Sequence, residues 1–169
     1  MFEVERLTQA VRASGVTMST SEETLFADLQ ALGRRYAKIK PSIQHLQTPV
    51  HTLVASSDQK IFMGDVTAGE NRALDQFHLE SGQLVVKVPV PYRLQAALPA
   101  KAARIRKAFY QDWLPDQPYE SGEWKDVEVY HYRQRYFRKS VKMVMELWFC
   151  LSPKSCLLYT LTLPTNREV

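Results

Sequence analysis

A chain of 169 residues with 45% hydrophobic and 24% charged residues has the make-up of one globular domain, long enough to bury a core. These proportions exclude a disordered chain, and no apolar run reaches the roughly 20 residues that cross a bilayer as a helix. The formal charge of +4 is too small to demand nucleic acid as a partner.

Met1-Phe2-Glu3-Val4-Glu5 carries acids where a secretion signal carries cations and an apolar run, so a cytoplasmic address is expected. Val and Thr dominate Phe2–Met18 without helical spacing, which predicts one long strand or two short ones broken at Gly15. Thr20-Ser21-Glu22-Glu23 has the form of a capping box, in which Thr20 accepts from the Glu23 N–H. The helix after it is predicted to carry Leu25, Phe26, Leu29, Leu32 and Tyr36 on one stripe. Arg34, Arg35 and Lys38 suit its last turn, and Pro41 ends it. Two strands follow, Val50–Ala55 and Lys60–Thr67, joined by the turn sequence Ser56-Ser57-Asp58-Gln59. The polar stretch Glu70–Gly82 has Leu74 and Phe77 as anchors.

Gln83–Leu98 is again strand-like, with Pro89 and Pro91 demanding a bend or an edge position. Pro99 suits the first turn of a second helix, which places Ala102, Ile105, Phe109 and Trp113 at helical spacing and stops at Pro115. Asp126–Tyr132 and Val141–Leu151 are the last clear strands. Between them Arg133, Arg135, Arg138, Lys139 and Lys142 interleave with Tyr132, Tyr136 and Phe137. That is the look of a single-strand nucleic-acid surface, but a solvated hairpin turn is the preferred reading. Cys156–Leu163 is apolar enough for an additional edge strand, and Pro164–Val169 is expected to fray. The order strand, helix, two strands therefore occurs twice. It predicts an α+β fold of pseudo-duplicated units, with two helices on a mostly antiparallel sheet.

Side-chain alternation in the last strand sends Met143, Met145, Leu147 and Phe149 one way and Lys142, Val144, Glu146, Trp148 and Cys150 the other. Glu146 is then a carboxylate in an apolar strand beside a tryptophan. Such a group needs a partner, takes up a proton or awaits a cation. In the preceding strand Asp126, Glu128, Tyr130 and Tyr132 share a face, opposite Val127, Val129 and His131. If the two strands form a hairpin, Glu128 and Tyr130 could lie near Glu146 and Trp148. Carboxylates among rings suit a lipophilic cation, and two close carboxylates could instead serve as acid and base in hydrolysis.

Other chemistries lack their residues. There is no G-x-S-x-G elbow, no G-x-G-x-x-G or P-loop, and no metal-ligand spacing among His45, His51, His78 and His131. The capped helix stands alone between strands, which removes a helix-turn-helix. Cys150 and Cys156 read as small hydrophobes. No cofactor or metal is expected.

Tyr110-Gln111-Asp112-Trp113-Leu114-Pro115, then Tyr119-Glu120, Glu128-Val129-Tyr130 and Glu146-Leu147-Trp148 follow one another in an order that resembles the GyrI-like effector-binding domain. In that family the domain is the ligand-binding half of multidrug-responsive regulators and also occurs free-standing. The resemblance spans about Phe2 to Pro153 and includes Phe62-Met63-Gly64. Residues 1–153 are accordingly read as one small-molecule-binding domain and 154–169 as a tail that could cover an edge or help a homodimer form. The resemblance implies a cleft between the two units, in which an acidic residue among aromatics meets lipophilic cations. By position it assigns Glu146, Glu128, Trp148, Tyr130, Trp113 and Tyr110 to ligand binding. The sequence departs from the family where Phe149-Cys150-Leu151-Ser152 delays the closing proline to Pro153.

The expected function is a stand-alone binder of lipophilic cationic aromatic compounds, with no direct DNA binding, no membrane partner and a lean toward binding over turnover. Two alternatives remain open. One is a hydrolase of cyclopropane-bearing genotoxins using the same pocket. The other is a protein-binding inhibitor of the gyrase-inhibitor type, with Arg133–Lys142 as its surface.

Overall fold

The computed structural model describes residues 2–131 and 143–154. A two-residue strand β1 (Glu5–Arg6) precedes the first unit, which comprises β2 (Val11–Ser19), helix α1 (Leu25–Ile39), β3 (His51–Ser56) and β4 (Lys60–Val66). Strand β5 (Asp75–Leu79) leads into the second unit: β6 (Leu84–Tyr92), α2 (Leu98–Lys107), β7 (Tyr119–His131) and β8 (Met143–Pro153). All eight strands form one antiparallel sheet in the order β1-β6-β8-β7-β3-β4-β2-β5. In each unit the last strand lies between the other two, and β3 against β7 joins the units. The leading strands are crossed: β1 extends the second unit and β5 the first.

This crossing curls the sheet. The Leu7 N–H donates to the Gln83 carbonyl at 2.9 Å and the Gly82 N–H to the Leu7 carbonyl at 2.7 Å. The connections at the two ends of the sheet thus meet, and the sheet becomes a half-barrel. Leu7 and Val85 from one end and Ala13, Phe77 and Leu79 from the other share one inner core with Leu53, Phe62, Trp124, Val127 and Trp148. A flat sheet would hold those ends apart. Burying a phenylalanine such as Phe62 or Phe77 is worth roughly 1.5–3 kcal/mol.

Both helices pack on the other face. Cross-strand partners share a face, and Ile61, Ser56, Asp126 and Phe149 form one row across β4, β3, β7 and β8. Ile61 lies under Leu32 and Tyr36 of α1, and Phe149 lies under α2 with Leu98, Ala102 and Phe109. The strip of β3 and β7 lies between the two helices.

The predicted fold class holds, with local corrections. The first strand breaks at residues 7–10 rather than at Gly15, which sits opposite Gly64 where β2 and β4 run closest. A Cβ at either glycine would collide with the other strand's backbone, so side chains are excluded there. Helix α1 begins at Leu25 with no side-chain cap; Thr20 and Thr24 instead donate to Asp28 Oδ2 at 2.8 and 2.7 Å. Phe26 is off the buried stripe, 78% exposed, because Leu25, Leu29, Leu32 and Tyr36 already complete it. The polar stretch hides β5, whose Phe77 and Leu79 are buried while Gln76 and His78 face out. Strand β6 stops at Tyr92, and Pro89 and Pro91 lie beyond its short pairing with β1, on an unpaired side. Strand β7 begins at Tyr119, earlier than predicted, with an irregularity between Ser121 and Asp126. Tyr132, the basic segment Arg133–Lys142 and the tail strand Cys156–Leu163 lie outside the described residues. Among the described residues no helix is long and apolar enough to cross a membrane.

Candidate functional site

Three cross-strand rows run along this strip from α1 to α2. They are Ile61–Ser56–Asp126–Phe149, Met63–Val54–Glu128–Leu147 and Asp65–Thr52–Tyr130–Met145. Toward α1 the strip carries the buried Asp65, whose Oδ2 has no hydrogen-bond partner among the described residues. Tyr36 donates to Asp65 Oδ1 at 2.5 Å and Thr52 to the same atom at 2.6 Å, both beneath the helix. Toward α2 it carries charge, because alternation puts Asp126, Glu128 and Tyr130 on the helix face of β7.

Helix α2 supplies the rest. It continues without a break into a π-helical turn, Ala108–Trp113. The wider turn seats Phe109 flat on Phe149, with ring centroids 3.8 Å apart and planes within 7°. Tyr110 is thereby brought over β7, and its hydroxyl donates to Asp126 Oδ2 at 2.8 Å. Arg106, one helical turn earlier, reaches both carboxylates. Its Nε and Nη2 donate to Asp126 Oδ1 at 3.3 and 3.0 Å, and Nη2 also donates to Glu128 Oε1 at 2.7 Å. Tyr130 donates to Glu128 Oε2 at 2.6 Å. Each of the four carboxylate oxygens therefore has a donor.

Burial works against the Arg106 charge, but Asp126 and Glu128 outweigh it and push the guanidinium further above its ordinary range. Burial, then the neighbouring carboxylate, raises the Tyr110 and Tyr130 hydroxyls well above the usual phenol value, so both remain donors. With both acids ionised the cluster carries two negative charges and one positive. Among the described residues one guanidinium thus faces two carboxylates in a half-buried site walled by two phenols, and Lys125, paired with Asp58 at 2.6 Å, has its Nζ 6.0 Å from the Tyr110 ring centroid.

The two predicted glutamates do not meet. Val129, not Glu128, is the cross-strand partner of Glu146, so Glu146 and Trp148 point to the inner face and Glu128 and Tyr130 to the helix face. On that inner face Trp148 Nε1–H donates to Glu146 Oε2 at 3.0 Å, and His131 Nε2 lies 3.4 Å from the same oxygen. The Nδ1 atoms of His131 and His51 share a hydrogen bond of 2.7 Å. Burial and then His131 hold the His51 pKa below its ordinary 6.5, with Glu146 opposing. The Trp148 ring already has a cation over it, Lys87 Nζ at 4.4 Å from the centroid. Of the six predicted residues, Glu128, Tyr130 and Tyr110 come together. Trp113 packs behind them on Phe109 and Phe2, with centroids at 5.2 and 5.6 Å.

Arg106 was not among the predicted site residues, and Asp126 was noted only for its face. A signal existed: Arg106 and Tyr110 are four apart, hence on one helix face, and Asp126-x-Glu128-x-Tyr130 alternates on one strand face. Among the described residues no three His, Cys, Asp or Glu side chains are grouped so as to hold a metal.

No protein-family model matches the sequence, and neither does any curated protein. Solved structures do share its fold. SAV2435 bound to tetraphenylphosphonium is similar over 90% of this chain and 94% of its own, at 12% identity and a TM-score of 0.59. An integron cassette protein from the mobile metagenome of Vibrio cholerae covers 89% of this chain and 95% of its own, at 12% identity and a TM-score of 0.56. The C-terminal domain of EcmrR covers 91% and 98%, at 11% identity and a TM-score of 0.50. The resemblance to effector-binding domains thus holds at the level of the fold.

Proposed function

We propose that this protein binds lipophilic aromatic monocations in the cleft between α1 and α2, with Glu128 as the counter-charge. The observation that carries this reading is that, among the described residues, Asp126 and Glu128 share the one guanidinium of Arg106 in a cluster set between Tyr110 and Tyr130. A monocation neutralises the cluster, and ring faces add roughly 0.5–2 kcal/mol each. The bound tetraphenylphosphonium of SAV2435, a protein of the same fold, supports the ligand class. At ~0.3 kcal/mol per heavy atom, a ligand of about 25 such atoms reaches micromolar affinity. The same network favours binding over water activation, since each carboxylate oxygen is already engaged by Arg106 or a tyrosine.

Calorimetric titration with tetraphenylphosphonium and with neutral triphenylphosphine oxide tests the reading. A charge about 5 Å from Glu128 at an effective dielectric near 20 is worth roughly 3 kcal/mol, less after solvent screening. Glu128→Gln is therefore expected to weaken the cation about 10–100-fold and the neutral compound little. Glu146→Gln, on the inner face, leaves both titrations within about twofold. Equal losses for cation and neutral compound in Glu128→Gln, or a larger loss in Glu146→Gln, would reject the assignment.

A further inference from the structure

The cation subsite of this cleft already holds a cation of the protein's own, and holds it unevenly. Arg106 makes two of its three carboxylate contacts to Asp126, whose side chain is 9% exposed and is also bonded by Tyr110. Its third contact, from the Nη2 that also serves Asp126, goes to Glu128, which is 19% exposed. The Arg106 side chain itself is 31% exposed, so this arm lies at the solvent side of the cluster. We propose that Arg106 is a tethered occupant of the cation subsite, anchored on Asp126, and that a ligand's positive charge must take over the Glu128 oxygen it holds.

The inference rests on the cleft reading above and makes Arg106 its specificity-determining residue. A guanidinium fixed to the same fold competes at high effective concentration. A small hydrophilic cation has nothing beyond its charge with which to displace that arm. A cation carrying rings also gains burial against Tyr110, Tyr130 and the apolar floor of Val54 and Met63, which hydrophilic cations cannot match. Displacement leaves Arg106 paired with Asp126, so no buried charge is stranded when the ligand enters. The displaced arm therefore sets a threshold that admits greasy cations and turns away abundant polar ones.

Arg106→Lys isolates this role. Lysine keeps the positive charge beside Asp126, but its ammonium ends one bond short of Nη2, the single nitrogen that bridges Asp126 and Glu128. Glu128 is then released. Tetraphenylphosphonium should bind Arg106→Lys about tenfold more tightly than wild type, the size of one charge-assisted contact no longer displaced. Triphenylphosphine oxide should change less than about twofold, because it does not compete for the carboxylate. The double variant Arg106→Lys/Glu128→Gln should lose the gain. Arg106→Gln, which also frees Glu128, must move the cation in the same direction and serves if the lysine variant fails to fold.

Unchanged or weaker cation binding in both single variants overturns the proposal, as does a parallel shift for cation and neutral compound. These results leave the cleft reading intact wherever Glu128→Gln still loses the cation selectively. A wild-type protein that binds neither probe removes both.

Discussion

Phe149→Ala offers a severe check on how α2 is fixed above the site. Phe149 is fully buried and stacks on Phe109 at 3.8 Å, with the edges of Tyr110 and Phe2 at 5.4 and 6.3 Å. Truncating a buried phenylalanine costs about 3–5 kcal/mol, and a close aromatic pair contributes about 0.5–1.5 kcal/mol beyond area. These contributions overlap, so the expected loss is about 4–5 kcal/mol. For a chain of this size that corresponds to a fall in Tm of roughly 8–20 °C. Phe149→Leu keeps much of the volume and loses the stack, for about 1–2 kcal/mol. Urea unfolding followed by tryptophan fluorescence and far-ultraviolet circular dichroism measures both variants. A loss below about 1.5 kcal/mol for alanine, or equal losses for alanine and leucine, would refute the claim that this ring stack anchors the π-helical turn.

Two further outcomes follow from groups on the inner face. His51 has its pKa held down by burial and by His131, so the unfolded chain takes up a proton before the folded one does. Its contribution is present above pH 6.5 and is lost as the pH falls below that value. Urea midpoints of the wild type should drop more steeply over that interval than those of His51→Gln, and parallel curves would contradict it. Burial, and secondarily Asp126, pushes the Cys150 thiol up to about 12. Peptide mapping after iodoacetamide at pH 8 should find Cys150 unmodified in folded protein and alkylated in urea, and rapid labelling of the folded form would contradict that environment.

Much of the fold was legible because each element carried its own local evidence. The stripe Leu25, Leu29, Leu32, Tyr36 appears as read but for Phe26, and the alternation of Met145, Leu147, Phe149 against Glu146, Trp148 appears as read. The first strand resisted because Gly15 reads as a break, while its actual role is to let β2 approach Gly64. Strand β5 resisted because only two of its five residues face the core. Arg106 resisted for a different reason. A cation in the last turn of a helix is already explained by the helix dipole, which masks the signal in its four-residue spacing to Tyr110.

The relation of the two glutamates turns on register, which alternation within a strand cannot supply. Strand periodicity says that Glu128 and Tyr130 share a face and that Glu146 and Trp148 share a face; it does not say whether the faces are the same. The pairing Glu128–Leu147 matches even positions of β7 with odd positions of β8, and so separates the acids. A slip of one residue would join them on one side, but it would turn either Phe149 away from Phe109 or Val127 away from the inner core. Burying those side chains on their present faces is worth several kcal/mol, far more than any gain from bringing two carboxylates together. The core therefore selects the register, and the register leaves one carboxylate pair, Asp126 and Glu128, on the helix face beneath α2. Under α1 Asp65 accepts from Tyr36 and Thr52 on one oxygen, while under α2 Asp126 and Glu128 share the guanidinium of Arg106 and accept from Tyr110 and Tyr130.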